Sequence, residues 1–135
     1  MSLERIFKNI ILLHFINFIL IFVSILIMDE SLLSMEDLFM GGIVPERYLG
    51  VYDSILYILL IINYINLILL YRFIQIARTI YLFVNIIFIL TSFLDGPVIF
   101  SSFQHVIFLV DAIAIGAIIV LMYYSPIKDK FEKKS

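Results

Sequence analysis

The chain has no cysteine and no tryptophan, only three prolines and five glycines, and charged residues fill just 15% of its 135 positions. Each shortage excludes something. Without cysteine there is no disulfide framework, no thiolate nucleophile and no cysteine-based metal centre. The two histidines, His14 and His105, are far apart in sequence and lack a metal-ligand spacing, so no metal and no other cofactor is expected. Few helix breakers leave long stretches free to stay helical. A charged fraction well below the ~25% of an average soluble domain leaves too little polar surface for an ordinary water-soluble fold.

Catalytic signatures are also missing. There is no HExxH zinc motif and no glycine-rich phosphate loop. The pair Asp95 and Asp111 lacks the Gly-Asp context of membrane aspartyl proteases, and no Ser/His arrangement replaces it. The reading is therefore a protein that is not an enzyme and has no catalytic residues. Nucleic-acid binding has no support beyond a basic C-terminal tail. That tail is better matched to anionic lipid headgroups, worth about 1 kcal/mol per basic residue near the surface.

What is present is apolar: 64% of residues are hydrophobic and the mean hydropathy is +1.15. The excess is concentrated in four runs of about 20 residues, the length that crosses a bilayer at 1.5 Å per helical residue. The expected fold is an all-α integral membrane protein, with four transmembrane helices in an antiparallel up-down bundle. The whole chain, 1–135, forms one domain with spans at about 9–28, 54–71, 79–94 and 105–124. The first run follows Arg5 and Lys8 like a signal peptide but has no small-x-small cleavage site, so it reads as a retained anchor. Segment 29–53 is an outer loop with a short interfacial helix at 31–40, which Gly41-Gly42 ends. Segment 125–135 is a basic tail, and Ser125-Pro126 stops the last span.

The basic residues fix an orientation. Arg5, Lys8, Arg72, Arg78, Lys128, Lys130, Lys133 and Lys134 fall on one side of the four runs, and only Arg47 falls on the other. The positive-inside rule then puts both termini in the cytoplasm. The loop carrying Asp29, Glu30, Glu36, Asp37, Glu46 and Asp53 lies outside. Arg72, Arg78, Lys128, Lys130, Lys133 and Lys134 are expected to contact the inner leaflet. High Ile, Asn and Lys usage fits an AT-rich bacterial genome, hence a bacterial inner membrane.

Each run also carries polar residues. Asp111 stands alone as an acid within 106–124, and an acid in hydrocarbon is expensive. Counting rise from the boundaries brings Asn17, Asn63 and Asn85 to about its depth, with His14 and Asn66 about a turn further in. Tyr81, Asn85, Phe88, Ser92 and Asp95 form one helical stripe, as do Gln104, Phe108, Asp111, Ile115 and Met122. With no lysine or arginine inside any run, Asp111 is expected to be protonated or hydrogen-bonded. The polar set reads either as an amide-locked core or as a proton or ion relay with Asp111 titrating and His14 its inner partner; a third reading has Asp111 facing another protomer. Ala112 and Gly116, with Ala117 beside them, form a small-x-x-x-small seam of the kind that lets helices approach closely.

Four spans with both ends inside resemble the layout of several small bacterial membrane protein groups. These include immunity proteins against pore-forming toxins, phage-defence subunits and small multidrug exporters. The exporters carry a glutamate in their first span, which this chain lacks, and no stretch carries a family motif. Two functions are open: association with itself or a partner membrane protein through the Ala112/Gly116 face, as an immunity or defence subunit would act, or a small oligomeric channel or proton-coupled transporter using Asp111.

Overall fold

The computed structural model describes residues 2–26, 46–93 and 102–132. Of these, 91% are helical and none is in a strand. The helices are α1 (Leu3–Leu26), α2 (Glu46–Tyr71), α3 (Gln75–Thr91), α4 (Ser102–Tyr124) and a short α5 (Lys128–Glu132). The interfacial helix expected at 31–40, the turn expected at Asp95-Gly96-Pro97, and Lys133 and Lys134 lie outside the described residues. Two helical stretches, Gly50–Tyr71 and Ser102–Tyr124, are long and apolar enough to cross a membrane, and α3 is apolar but shorter.

Helix α1 packs most extensively on α4, and α2 on α3. In the second pair, Asn66 Nδ2 donates to the Ala77 carbonyl at 2.9 Å and Tyr52 Oη donates to the Thr91 carbonyl at 3.1 Å. Low numbers on α2 thus meet high numbers on α3, so these helices run antiparallel. Helices α1 and α4 do the same. Phe7 and Ile11 share a buried cluster with Ile118 and Met122, whereas His14 reaches back to Asp111. The buried stripe of α4 is Gln104, Ile107, Ala114, Ile118 and Met122, with Asp111 on the same track and partly exposed. Its alternating steps of three and four are the seam of side-by-side helices. Phe108 and Ile115, expected on this face, lie one position off it: Phe108 is exposed and Ile115 only partly buried.

The connection between α2 and α3 is three residues long, not the seven of Arg72–Arg78. The basic pair at those positions suggested a longer solvated loop. Instead α3 begins at Gln75, because Ala77 is fully buried and Arg78 finds partners within the fold. The turn is a Schellman cap: Ile74 N–H bonds the Leu69 carbonyl and Phe73 N–H the Leu70 carbonyl. The left-handed position in such a cap is usually glycine, but here it is Phe73, with φ at 57°. That conformation costs a side-chain-bearing residue about 1–2 kcal/mol. The ring is buried against Phe7 at 5.6 Å and Phe131 at 5.3 Å, and burying a Phe side chain contributes about 1.5–3 kcal/mol. The burial exceeds the strain, so the turn holds.

The C-terminal segment is not a free basic tail. Ser125 ends α4 by donating its hydroxyl to the Leu121 carbonyl, and the same oxygen accepts from Ile127 N–H. The chain folds back as α5, which buries Ile127 and Phe131. Phe7, Phe73 and Phe131 form a three-ring cluster, with Phe7 and Phe131 6.0 Å apart. Ion pairs surround it: Glu4 with Lys8 at 2.9 Å, Glu4 with Lys130, and Arg78 with Glu132 at 3.8 Å. Arg78 also lies 4.7 Å over the Tyr123 ring. Of the residues expected to reach lipid headgroups, Arg78 and Lys130 are therefore engaged within the chain, while Lys128 is exposed.

Polarity is inverted relative to a water-soluble bundle. Ile16, Ile58, Ile61, Ile65, Ile89 and Ile113 point outward, the last 73% exposed. His14, Asn17, Asn66, Asn85 and Gln104 are buried.

Candidate functional site

The interior polar set is organised by one contact. His14 Nδ1 and Asp111 Oδ1 share a hydrogen bond of 2.6 Å, joining residues 97 positions apart. It forms because the seams of α1 (Phe7, Ile11, His14) and α4 (Ile107, Asp111, Ala114, Ile118) step in threes and fours and meet antiparallel. The side chain of His14 is 5% exposed and that of Asp111 16%. The His14 ring meets Tyr81 of α3 edge-on, centroids 6.0 Å apart. Tyr64 of α2 is held between Phe15 at 5.2 Å and Phe18 at 4.1 Å, and lies, like Tyr81, within electrostatic reach of Asp111. All four long helices thus contribute one group to this layer.

The layer differs from the one expected. The expected locks on Asp111 were amides, and His14 was placed about a turn deeper. Instead His14 is the direct partner of Asp111, because α1 lies further along α4 than equal counting from the run boundaries implies. The amides bond elsewhere. Asn66 caps the Ala77 carbonyl, and Asn85 donates to the Tyr81 carbonyl of its own helix at 2.8 Å. Asn17 is buried and Asn63 half-buried, and neither has a hydrogen bond to Asp111 among the described residues. The Ser92 hydroxyl also turns back on its own helix, donating to the Ile89 carbonyl. Tyr81 stands on the stripe read from the sequence, whereas Tyr64 is the group that sequence reasoning missed. The available signal was position: Tyr64 falls between Asn63 and Asn66 in mid-run, away from the interfacial sites that tyrosine usually takes.

Among the described residues, several buried polar atoms have no hydrogen-bond partner: His14 Nε2, Tyr64 Oη and Tyr81 Oη in this layer, and Asn17 Nδ2, Asn63 Oδ1 and Asn66 Oδ1 elsewhere on α1 and α2. Leaving a buried donor or acceptor unpaired costs about 1–3 kcal/mol. Chemically, the arrangement is an imidazole with one nitrogen bonded to a carboxyl oxygen and the other buried, with the Tyr81 ring edge-on to it. Among the described residues, no three His, Cys, Asp or Glu side chains converge as a metal site.

The small-residue seam faces outward. Ala112 and Gly116 are exposed and Ala117 is half-buried. A Cβ added at Gly116 would meet nothing within 4 Å. The close approaches inside the fold are made by Ala114 and Ala77 instead. No family model, no curated protein and no solved structure matches this chain.

Proposed function

We propose that this chain is a four-span protein of a bacterial inner membrane, with both termini in the cytoplasm, that acts without catalysis by associating with itself or with another membrane protein. An immunity or defence subunit would act in this way. The observation that carries the reading is the inverted polarity: outward isoleucines and phenylalanines around buried histidine, asparagine and glutamine. In water an exposed apolar surface of that extent marks an interaction surface or a membrane contact. The outward Ala112/Gly116 face supports lateral association, because small residues let a second helix approach closely.

Both halves of the proposal are testable. The chain lacks cysteine, so single cysteines at Ser2 and Lys128 report the location of the termini through an impermeant maleimide. Labelling of either from outside intact cells removes the orientation. Gly116→Leu enters open space and should leave insertion intact while weakening self-association about tenfold, roughly 1.4 kcal/mol, as read by crosslinking in membranes. A strictly monomeric wild type that crosslinks to nothing in cells sinks the association reading.

A second reading, a small oligomeric channel or proton-coupled transporter, is favoured by the His14–Asp111 bond and the unpaired His14 Nε2. It expects Asp111→Asn to abolish a pH-driven flux in liposomes. Wild-type liposomes silent under every gradient, with the protein properly inserted, dispose of it.

A further inference from the structure

Between α1 and α2 runs an apolar groove lined by Ile11, Leu12, Phe15, Leu67, Ile68 and Tyr71, with a cavity of about 250 Å³. Its lining is entirely apolar. A helix, some 10–12 Å across with its side chains, is too wide for a space of this size. A drug-sized ligand occupies ~300–1,000 Å³ and needs a few polar anchors, which the lining lacks. A single hydrocarbon chain fits on both counts.

One end of the groove is marked by charge. Tyr71 closes it, and Lys8 Nζ lies 5.1 Å from the centre of that ring. Lys8 shares Glu4 with Lys130, so two ammonium groups converge on one carboxylate and positive charge is left in excess. Arg5 is exposed close by in sequence. An apolar slot that ends in surplus positive charge is complementary to an anionic amphiphile. Basic pockets beside helices on the cytoplasmic side take anionic headgroups in this way.

We infer that the α1–α2 groove is a binding site for an anionic phospholipid of the inner leaflet, with one acyl chain against Ile11, Leu12, Phe15, Leu67 and Ile68 and its phosphate at Lys8. The inference rests on the membrane orientation proposed above. Lys8 would hold the phosphate as a point charge, while Glu4 keeps its contact with Lys130. Leu12 and Ile68 are themselves substantially exposed, so the groove is open sideways and a chain can enter from the bilayer.

The test uses the full chain reconstituted with equal phosphatidylglycerol and phosphatidylcholine, then taken into mild detergent, with retained lipid identified by native mass spectrometry. The expected result is one retained phosphatidylglycerol per chain, favoured over phosphatidylcholine. Lys8→Gln should lower that preference about fivefold, the effect of one basic residue near an anionic surface, and Lys8→Arg should keep it. Ile68→Trp, which fills the groove, should remove the retained lipid of either kind. Equal retention of both lipids, or a preference untouched by Lys8→Gln, overturns the site. So does an Ile68→Trp variant that changes oligomeric state while keeping its lipid, since the groove would then seat a second copy. A wild type released from membranes by alkaline carbonate would remove the membrane reading itself, and the site with it. A firmly inserted protein without lipid preference would remove only the site.

Discussion

The two ends of the His14 side of α1 solve opposite problems. At its N-terminal end, Phe7 sits in a cluster where each ring has a ring partner and Glu4, Lys8, Arg78, Lys130 and Glu132 are paired. Two turns on, His14 meets Asp111 in a layer where His14 Nε2, Tyr64 Oη and Tyr81 Oη are buried with no hydrogen-bond partner among the described residues. The rings of the first region are fully packed, although its charges leave a positive excess at Lys8 and Lys130, and the buried polar atoms of the second are unpaired among the described residues. Saturated packing is what stability alone produces. A layer that keeps a histidine, an aspartate and two tyrosines where leucines would fit carries a cost that stability does not explain, and such sites are where function is usually found.

The comparison breaks most visibly at the aromatic cluster. Phe131 is fully buried on a five-residue helix that has little stability of its own. Phe131→Ala should cost about 3–5 kcal/mol, the usual range for a buried Phe→Ala change, and release residues 128–132. Reversible unfolding in detergent measures the loss, and limited trypsin digestion at Lys128 and Lys130 detects the release. An unchanged stability would mean that α5 contributes nothing and the contrast between the regions is false.

The polar layer should respond less and differently. Polar contacts between membrane helices average about 0.6 kcal/mol and reach about 1.7. His14→Leu and Asp111→Leu should each cost about 1–2 kcal/mol, because each leaves a buried partner unpaired. The double variant should cost no more than either single one, since both polar groups are then gone. A double-mutant cycle by unfolding decides it. Additive losses would show that the bond contributes nothing beyond its separate parts and would weaken the case that the two residues act together.

Much of this was legible in the chain itself. The helical runs, the stop at Ser125-Pro126 and the inward turn of Asn66 and Asn85 follow from hydropathy, breakers and the cost of an unpaired amide. Register between helices was not. Whether His14 or Asn17 meets Asp111 depends on how far α1 slides along α4, and a shift of one helical turn exchanges them. Counting from run boundaries carries an error of about that size. The Ala112/Gly116 pattern was visible, but whether it faces a neighbouring helix of the chain or the outside is decided by rotation about the α4 axis, and steps of three and four fit adjacent faces almost equally well. The return of the tail was hidden for another reason. Six charged residues, three on each side of Phe131, read as a solvated end, and only that one ring among them signals a buried anchor.

The smallest expected effect lies in the charges around the aromatic cluster, and it separates their contribution from that of the rings. Hydrogen bonds from Lys130 and then Lys8 lower the Glu4 carboxyl from 4.5 to about 2. A carboxylate depressed on folding supports the fold above its ordinary range, and the support fades as pH falls from about 4.5 toward 2, where the folded carboxyl takes up its proton. Because Glu4 is solvent-exposed, its effect is screened by salt and modest. Spin labels at Ser2 and Lys128 should therefore report a distance distribution that broadens across that acid window, less so at high salt where the pair is already screened, with the aromatic cluster still holding the mean. In Glu4→Gln the acid response should flatten. Glu132, paired with Arg78, and the exposed Asp129 are further carboxylates at this end of the fold. A Glu4→Gln variant that broadens just as the wild type does would therefore assign the acid sensitivity to those residues and not to Glu4.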